Sequence, residues 1–572
     1  MKSKHIVILC FSVLLCLVAG FCGIQEKEWD RSASISAEIL SDGRSENVKL
    51  WMSPSEEYFL FLPGYADLSQ VRIRRHTIGS VSLNYKKVTD GMSCSDFLLN
   101  EPMPLIHDPI LGYQWNELTI LQSANLPALY IEVKSGNMDY IHATKGNKES
   151  GSMRLYTADG KLDAEAVVES LQGRGNSTWL WREKKPYSLR LSAETDLLGM
   201  GAASRWVLLA DAFDLSGLKN KVAYDLARNA GMPYTPDCQW VELYLNGEYA
   251  GLYLLSERNE IHPNRVDIPA ENTFLVAWES EQRMIDQGYP YVKTERGKAI
   301  RIHQSALPLE KVQQMWQSVE NAIYAEDGID PITGKHLRDL IDMDSWAMLF
   351  LMDEIPADYD GGRISKFFYY KETDGVGKIY GGPVWDKDDS MASGHWSITP
   401  PNCIVASRSS VVDGKEQNMF VGLYQNEEFR SRVAEIYRCS FLPVLQELCD
   451  TGIAEYAAYI HQAAQLSEIR WNLGYTPEQS RIIRNFLEER IEFFDAYWIR
   501  QEVFYRVKIR GTSDGSSGEY AVRPGDPIPV LPEYDPAAGV WCWYEAGTEE
   551  PFDVTQPIWE DKSLILKKSD NT

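Results

Sequence analysis

Two groups of carboxylates stand on either side of a predicted β-hairpin. Asp358 and Asp360 lie in a polar stretch that continues with two glycines and an arginine. Two aromatic-rich segments follow, and Asp386 and Asp388 come directly after the second of them. Because Asp-Gly and Gly-Gly pairs are common in turns, the stretch is predicted to be a loop, two strands and a second loop. Any fold of this chain must therefore accommodate an acidic loop before and after one hairpin.

The order of these loops has two interpretations. Phosphoryl transfer needs one carboxylate that orients the attacking hydroxyl and accepts its proton, and a second that holds the metal ion bridging the phosphates. Asp360 and Asp386 occur in that order. Alternatively, the stretch is an ordinary polar turn between a helix and a hairpin, with solvated acidic side chains. The rest of the chain is needed to choose between these interpretations.

The length and charge of the chain exclude some classes of protein. With 572 residues it is too long for one ordinary domain, so several domains are expected. Its formal net charge of −25 argues against non-specific binding to nucleic acid or to anionic membrane surfaces. No nucleic-acid partner is therefore expected.

The N-terminus has the features of an export signal. Basic residues at positions 2 and 4 precede an apolar run, Ile6–Phe21, whose 16 residues are fewer than the roughly 20 that span a bilayer. Cys22 follows this run and resembles the acylated cysteine of bacterial lipoproteins. Residues 1–22 are therefore predicted to be a lipoprotein signal peptide, with Cys22 as the only membrane attachment, at the outer surface or a periplasm-facing membrane. Because Phe21 is large for the position before such a cysteine, simple secretion is the alternative.

Residues 30–122 contain short β-type segments separated by polar turns. Examples are Val48–Met52, Tyr58–Leu62 and Val81–Tyr85. Alternation of polar and apolar residues at this short spacing predicts a small β-sandwich-like domain. No recognisable catalytic motif lies in this region.

Residues 125–500 form the largest predicted domain, and their character changes along the chain. The first half is β-rich, with a strong hairpin signal where Asn246 and Gly247 separate two alternating segments. One helix is predicted there, over Leu218–Ala230. Helical spacing dominates the second half, over Leu309–Ala325, Leu337–Met352 and Thr476–Tyr497. A β-rich lobe followed by a helical lobe, with the acidic loops between them, is the layout of a bilobal protein kinase.

Several segments of this domain resemble the spore coat protein H (CotH) kinase family. The most specific are the run Arg-Gly-Asn-Ser-Thr-Trp and the run Lys-Lys-Pro-Tyr that follows it. The matching segments occur in the order that they have in the family: 173–179, 184–187, 206–211, 218–220, 244–253 and 385–388.

The resemblance implies an α+β protein with an atypical bilobal protein-kinase-like fold, flanked by the N-terminal β-sandwich-like domain and a small C-terminal β module. It also implies ATP-dependent phosphorylation of Ser or Thr in secreted or surface proteins, with ATP and Mg²⁺ (or Mn²⁺) as cofactors. Asp360 would be the catalytic base. Metal binding would involve Asp386, Ser365 and Asp388. The nucleotide phosphates would be bound by Arg174, Gly175, Asn176, Ser177 and one of the pair Lys184 and Lys185, with Lys185 preferred.

The sequence departs from the protein-kinase pattern at two places. Ser365 stands five residues after Asp360, where protein kinases have an asparagine that binds the metal. The predicted helix Leu218–Ala230 contains no glutamate to pair with the nucleotide lysine, so Asp225 or Glu257 would have to replace it. Both departures bear on turnover more than on the fold.

Two other functions therefore stay open. The first is a non-catalytic surface binding or adhesion protein, built on a degenerate kinase-like fold. The second is a glycan hydrolase that uses Asp360 and Asp386 as acid and base, for which the separation of the two carboxylates would be decisive.

Residues 503–568 are predicted to form a separate β module. Strands are expected over Phe504–Arg510 and Ser563–Lys568, with turns rich in proline, glycine and tyrosine between them. Through segments 520–525 and 541–544 this module resembles an internalin-type B-repeat, also called a Listeria–Bacteroides repeat. The resemblance is weaker than that of residues 125–500. The module's own strands and turns indicate that it folds independently.

Overall fold

The structure, a computed structural model, describes most of the chain after the N-terminal 34 residues. The described ranges are 35–77, 79–108, 114–392, 400–511, 517–528 and 541–568. The predicted signal peptide and Cys22 lie outside them. Two compact units are present: unit 1 runs up to Glu169 and includes Val241–Leu252, and unit 2 comprises Ser170–Trp240 and the chain from Tyr253 onward.

Ten strands at the N-terminus form two sheets. They are β1 Ile35–Ser41, β2 Arg44–Lys49, β3 Trp51–Met52, β4 Tyr58–Leu62, β5 Arg72–Arg75, β6 Ser80–Leu83, β7 Lys86–Lys87, β8 Met92–Ser93, β9 Pro102–Asp108 and β10 Gln114–Gln122. One sheet has the strand order β2-β1-β5-β8, and the other has the order β3-β4-β10-β9-β6-β7. Leu118 and Ile120 of β10 are buried while Glu117 is exposed, the period of two expected of a half-buried strand. This region is β-rich, as its sequence predicts.

The next seven strands belong to one barrel sheet. They are β11 Ala128–Val133, β12 Lys148–Tyr156, β13 Leu162–Gly173, β14 Tyr187–Thr195, β15 Ala203–Leu209, β16 Cys238–Leu245 and β17 Glu248–Glu257. Their order is β11-β12-β13-β14-β15-β17-β16. Asn246 and Gly247 connect the last two strands with φ angles of 52° and 82°, as a two-residue turn of this type requires. The hairpin predicted at this position is confirmed.

A five-stranded sheet of unit 2 carries the predicted hairpin between the acidic loops. Its strands are β18 Phe274–Trp278, β19 Tyr291–Lys293, β20 Ala299–Ser305, β21 Lys366–Thr373 and β22 Val376–Gly381, in the order β19-β20-β18-β21-β22. Strands β21 and β22 pair in antiparallel register from Phe368 to Thr373. Trp278, Trp346 and Phe368 pack closely in the core beside this sheet, with ring centroids 4.7–6.0 Å apart. A short hairpin follows, formed by β23 Val411–Val412 and β24 Lys415–Glu416.

Helices dominate the rest of unit 2. The α-helices of the described chain are α1 Asp139–Ala143, α2 Ser177–Trp181, α3 Lys219–Asn229, α4 Glu281–Gln287, α5 Leu309–Tyr324, α6 Leu337–Leu340, α7 Met343–Glu354, α8 Met419–Leu423, α9 Glu427–Ile436, α10 Leu442–Glu447, α11 Ile453–Trp471 and α12 Glu478–Phe494. Within the described ranges, no helix has the length and apolar character needed to cross a membrane. The fold as a whole is mixed α+β.

One predicted helix is interrupted in the structure. The sequence predicts a single helix over Leu337–Met352, but the structure has α6 and α7, separated at Ile341 and Asp342. Ile341 forms a β-bridge with Ile379, and the Asp342 side chain accepts a hydrogen bond from the Ser345 N–H at 2.9 Å. The break therefore depends on a tertiary contact and on an N-cap, neither of which disturbs the helical spacing of apolar residues.

The C-terminal module forms a four-stranded sheet. Its strands are β25 Tyr505–Arg510, β26 Ser517–Val522, β27 Trp541–Glu545 and β28 Lys562–Lys568, in the order β26-β25-β28-β27. Backbone hydrogen bonds join this sheet to the preceding region: the Ala521 N–H donates to the Asn402 carbonyl at 3.1 Å, and the Ile404 N–H donates to the Glu519 carbonyl at 2.8 Å. The edge of this sheet is therefore paired with residues 402–404.

Candidate active site

The loop of residues 358–365 connects helix α7 to strand β21. Two buried carboxylates fix its backbone. The Asp360 N–H donates to Asp358 Oδ1 at 3.0 Å, and the Gly362 N–H donates to Asp353 Oδ2 at 2.8 Å. About a third of the Asp360 side chain, 33%, remains exposed. The loop therefore holds Asp360 in a defined place while leaving its carboxylate accessible.

Asp360 lines a cleft with a volume of about 570 Å³, which lies within the size range of small-molecule sites. In the cleft wall the Arg363 guanidinium donates to the Asp360 carboxylate, with 3.2 Å between Nη2 and Oδ1. The other charged residues of the wall are Glu279, Glu281, Lys293, Glu295, Arg296, Lys298, Asp413 and Lys415. A polar ligand of either charge can therefore find a partner beside Asp360.

The surroundings of Asp360 change its acidity. Restricted access to water raises its pKa, and the nearby negative charge of Asp358 raises it further. Arg363 lowers it, and Asp386 makes a smaller raising contribution. The result is a pKa of about 7. A carboxylate with this pKa is suited to accept a proton near neutral pH.

Beneath the loop lie four fully buried charged side chains, here called the buried quartet: Asp353, Asp358, Lys366 and Lys387. The Lys366 Nζ lies 2.8 Å from Asp353 and 2.6 Å from Asp358. The Lys387 Nζ lies 2.6 Å from Asp353 and 2.5 Å from Asp358. Burial alone would raise the pKa of Asp358, but the two ammonium groups hold it below its usual range. Burial opposes the charge of Lys366 too, yet the two carboxylates raise its pKa.

The second acidic loop follows strand β22. Asp386 adopts a left-handed backbone conformation, with φ of 63°, and its side chain is exposed. Its Oδ2 accepts a hydrogen bond from the Ser365 hydroxyl at 3.0 Å, so the two acidic loops are in direct contact. Asp388 is less exposed than Asp386, and burial together with the charges of Asp386 and Asp211 raises the pKa of Asp388 well above its usual value. Ser365 therefore contacts Asp386, and the charge of Asp386 acts on both Asp360 and Asp388.

Two of the predicted phosphate-binding cations, Arg174 and Lys184, lie near carboxylates of unit 2. The Arg174 guanidinium lies 5.4 Å from the ring centroid of Trp385, the residue before Asp386. Lys184 is buried, which lowers its pKa to about 8, although Asp211 and Asp214 favour its charged form. Arg174 and Lys184 are therefore available to compensate negative charge at the site.

Lys185, the lysine preferred from the sequence for nucleotide binding, has a different environment from Lys184. The Lys185 Nζ donates to the Trp179 carbonyl at 2.6 Å, whereas the charge of Lys184 is stabilised by the carboxylates at the site. Gly175 has the positive φ of 76° that favours glycine, Asn176 occupies the N-cap of α2, and Ser177 is the first residue of that helix. The Lys185 ammonium therefore binds a backbone carbonyl, whereas Lys184 is the lysine of the pair near Asp211 and Asp214.

Residues 171–494 match the family described as CotH kinase protein, and this match covers more than half of the chain. The chain belongs to the CotH kinase family. A comparison with curated proteins found no match. The matched region begins in strand β13 and ends at the last residue of α12, so it contains both acidic loops, the buried quartet and the cations described above.

Both carboxylates that the sequence offered as partners for the nucleotide lysine pair with other cations. Asp225 pairs with Lys221, 3.0 Å between the charged atoms, on the same helix. Glu257 pairs with Arg265 at 2.6 Å. The carboxylates that favour the charged form of Lys184 are instead Asp211 and Asp214, which precede helix α3 rather than lying in it. Helical spacing alone could not identify them.

Sequence reasoning assigned no role to several residues that shape this site. The Asn220 side chain bridges two segments: its Nδ2 donates to Asp211 Oδ1 at 2.8 Å, and its Oδ1 accepts from the Lys387 N–H at 2.9 Å. The Lys219 Nζ donates to the Asp388 carbonyl at 3.3 Å. A signal for these residues existed, because all of them lie in segments that resemble the CotH family.

The oxygen atoms at the second acidic loop can be checked against the ligands that the implied Mg²⁺ or Mn²⁺ requires. Asp386 and Asp388 offer oxygen ligands, which Mg²⁺ and Mn²⁺ prefer, and Mg²⁺ commonly takes only one or two carboxylates along with phosphate and water. Burial is the largest cause of the raised pKa of Asp388, and the neighbouring charges of Asp386 and Asp211, which a cation would neutralise, raise it further. Ser365 donates to Asp386 and so orients it. Among the described residues, no group of three or more His, Cys, Asp or Glu is arranged to hold a metal, so phosphate oxygens would have to complete the site.

Proposed function

We propose that this protein is an exported, lipid-anchored kinase that transfers the γ-phosphoryl group of ATP to Ser or Thr residues of secreted or surface proteins. The observation that carries the proposal is Asp360, an accessible carboxylate with a pKa of about 7 in the wall of a cleft. Membership of the CotH kinase family supports it. The anchor would be Cys22, as the N-terminal sequence indicates.

The proposal includes a bilobal kinase-like arrangement for residues 125–500. The described elements support it by their order: strands predominate before helix α5, helices predominate after it, and the two acidic loops flank β21 and β22. It also includes the B-repeat character of the C-terminal module, which rests on the sequence resemblance of residues 503–568.

Asp360 would act as the general base of the transfer. Its carboxylate would accept the proton of the attacking Ser or Thr hydroxyl, while a bond forms between that oxygen and the γ-phosphorus and the bond to the leaving oxygen of ADP breaks. Its hydrogen bond from Arg363 and the N–H contact of Asp360 with Asp358 would orient it. The pKa of about 7 places the accepting form within reach at neutral pH.

Asp386 and Asp388 would hold the divalent cation, with Ser365 orienting Asp386 through the 3.0 Å hydrogen bond. Bound there, Mg²⁺ or Mn²⁺ would supply neutralisation of negative charge on the phosphate groups. Arg174 and Lys184 would bind the same phosphates: the charges of Asp386, Asp388 and Asp211 act on Arg174, and those of Asp211 and Asp214 act on Lys184. The site would then combine cations and carboxylates in the manner of other phosphoryl-transfer sites.

The test is incubation of the purified chain, without residues 1–22, with labelled ATP and either Mg²⁺ or Mn²⁺. We expect label on the protein itself or on an added surface protein, and an increase in melting temperature on metal-dependent ATP binding. Binding of ATP without transfer would favour the non-catalytic surface protein instead. Absence of both binding and transfer would contradict the proposed kinase.

A further inference from the structure

Lys387 lies between Asp386 and Asp388 in sequence. Asp386 is exposed, whereas the Lys387 side chain is buried beneath the loop. Its Nζ contacts Asp353 at 2.6 Å and Asp358 at 2.5 Å. Each of these carboxylates belongs to a different part of the chain: Asp353 to helix α7, and Asp358 to the 358–365 loop. Lys387 therefore connects the second acidic loop to both.

The same two carboxylates also accept hydrogen bonds from the backbone of the loop that carries Asp360. Asp353 uses its other oxygen to accept the Gly362 N–H at 2.8 Å. Asp358 uses its other oxygen to accept the Asp360 N–H at 3.0 Å. Two unbroken chains of hydrogen bonds thus run from the Lys387 ammonium to the backbone on either side of the Asp360 side chain.

The backbone of Lys387 is fixed as well. Its N–H donates to Asn220 Oδ1 at 2.9 Å, and the Asn220 amide binds Asp211. The position of Asp386, one residue earlier, is consequently tied to helix α3 through this bond. The Lys387 backbone is thus held by the neutral Asn220 amide, and its ammonium group by two carboxylates.

We propose that Lys387 is a positioning residue that sets the place of Asp360 relative to Asp386. This inference rests on the proposed function, because the separation of a general base from a metal-binding carboxylate matters only for the transfer. Misplacement of a reacting group by about 1 Å can lower a rate by about 100-fold. The two hydrogen-bond chains restrict that displacement, since they link the Lys387 side chain in the second acidic loop to the backbone of the loop that carries Asp360.

Stability alone does not account for this arrangement. Buried ion pairs are often no more stabilising than apolar residues of similar volume, because both charges lose their hydration. The quartet contains two carboxylates and two ammonium groups, so its net charge is zero. A neutral Asp–Lys pair can be removed from it in four ways, and the two that include Lys387 break the connection between the loops.

The experiment compares two double variants of the full chain. Asp353→Asn with Lys387→Met removes one charge of each sign and breaks the connection, leaving Lys366 paired with Asp358. Asp353→Asn with Lys366→Met also removes one charge of each sign, but it keeps the 2.5 Å contact of Lys387 with Asp358. Both are assayed for kcat and for the KM of ATP, and amide hydrogen exchange is measured over residues 358–365 and 385–389.

We expect the double variant Asp353→Asn with Lys387→Met, here called the Lys387 pair, to lower kcat by about 100-fold. The KM of ATP should change by less than about 3-fold, because ground-state binding is retained. Amide exchange should rise in both acidic loops. The double variant Asp353→Asn with Lys366→Met, here called the Lys366 pair, should lower kcat by at most about 10-fold. Glu257→Gln with Arg265→Met, which removes a buried ion pair of 2.6 Å elsewhere in unit 2, should lower the melting temperature and leave kcat unchanged.

Equal losses of kcat in the three double variants would overturn the inference, since the effect would then follow stability alone. If the unaltered chain transfers no phosphate, the proposed function fails, and hydrogen exchange decides the positioning by itself. In that case, increased exchange in both loops, confined to the Lys387 pair, supports the connection. Unchanged exchange in the 358–365 loop of the Lys387 pair refutes it, whatever the activity.

Discussion

Unit 2 contains two groups of carboxylates that differ in how their charge is compensated. Asp353 and Asp358 each contact both lysines of the buried quartet, and the pKa of Asp358 is lowered as a result. For Asp211, Asp360 and Asp388, burial and the charges of neighbouring carboxylates outweigh the nearby cations, and their pKa values are raised, to about 7 for Asp211 and Asp360. Burial acts against the charged form in both groups, so the difference comes from their partners.

This difference separates the scaffold of the site from its chemistry. A carboxylate that is neutralised by its own protein has little capacity left for a proton or a metal ion. One that is held near other carboxylates has a raised proton affinity and attracts cations, which is why such groups are concentrated at functional sites. We therefore expect substitutions in the first group to change stability, and to change transfer only through the position of Asp360, whereas those in the second group should change binding or transfer directly.

The largest effect is expected for Asp386→Asn. Asparagine tolerates the left-handed backbone at this position, so the substitution removes mainly the charge. Metal-dependent affinity for ATP and phosphate transfer should both be abolished, because a metal ligand contributes several kcal/mol in such a site. ATP-induced changes in melting temperature, with and without Mg²⁺, measure the affinity. Asp374→Asn, at an exposed left-handed position in the turn of the same hairpin, is the matched control and should retain both properties.

Asp360→Asn should separate binding from transfer. Transfer should fall by about 10²–10⁴-fold, the usual contribution of a positioned general base, while ATP affinity stays nearly unchanged. In the unaltered chain, kcat/KM should rise with pH through an apparent pKa of about 7, since the base must be deprotonated; this dependence should disappear from the residual activity of the variant. A normal rate in Asp360→Asn would exclude Asp360 as the base. A parallel loss of ATP affinity would instead indicate a second metal ligand.

The two acidic loops could be predicted from sequence because their order along the chain is itself informative. The hairpin between them, and the one at Asn246 and Gly247, follow from local turn chemistry and strand alternation. The break between α6 and α7 could not be predicted, because it depends on the β-bridge of Ile341 with a strand nearly forty residues later. Local patterns identify elements, whereas tertiary contacts decide where some of them end.

The buried quartet shows the same limit within the site. In sequence, Lys366 and Lys387 are ordinary lysines at the start of a strand and in a polar loop. Only the fold brings them to the same two carboxylates. The choice between Lys184 and Lys185 likewise required knowing which side chain of the segment faces inward. Residue types could be predicted to be at the site, but their pairing could not.

The quartet offers a test of the scaffold group, Asp358→Asn. This substitution leaves two buried lysines with a single carboxylate, and removing one partner of a buried ion pair typically costs about 3–5 kcal/mol. The free energy of unfolding in urea should fall by that amount, whereas Asp360→Asn should leave it unchanged or raise it. Similar losses for both variants would mean that the two groups of carboxylates do not differ in role.

The smallest effect concerns Glu242 of unit 1, which shares a raised pKa with Asp360 but has no exposed surface. Burial raises the pKa of Glu242 from 4.5 to about 8, despite nearby hydroxyls of Ser123 and Tyr249 that lower it. Because the folded state then binds a proton that the unfolded state releases, the stability from this group is present below pH 4.5 and is lost as the pH rises toward 8.

Glu242→Gln should therefore stabilise the protein increasingly between pH 5 and pH 8, measured by melting temperature, and leave phosphate transfer unchanged. Glu132→Gln, an exposed position on strand β11, is the control and should show no such trend. If Glu242→Gln lowered transfer as Asp360→Asn does, a raised pKa would mark catalytic function regardless of access to the cleft, and the distinction between these two carboxylates would be wrong.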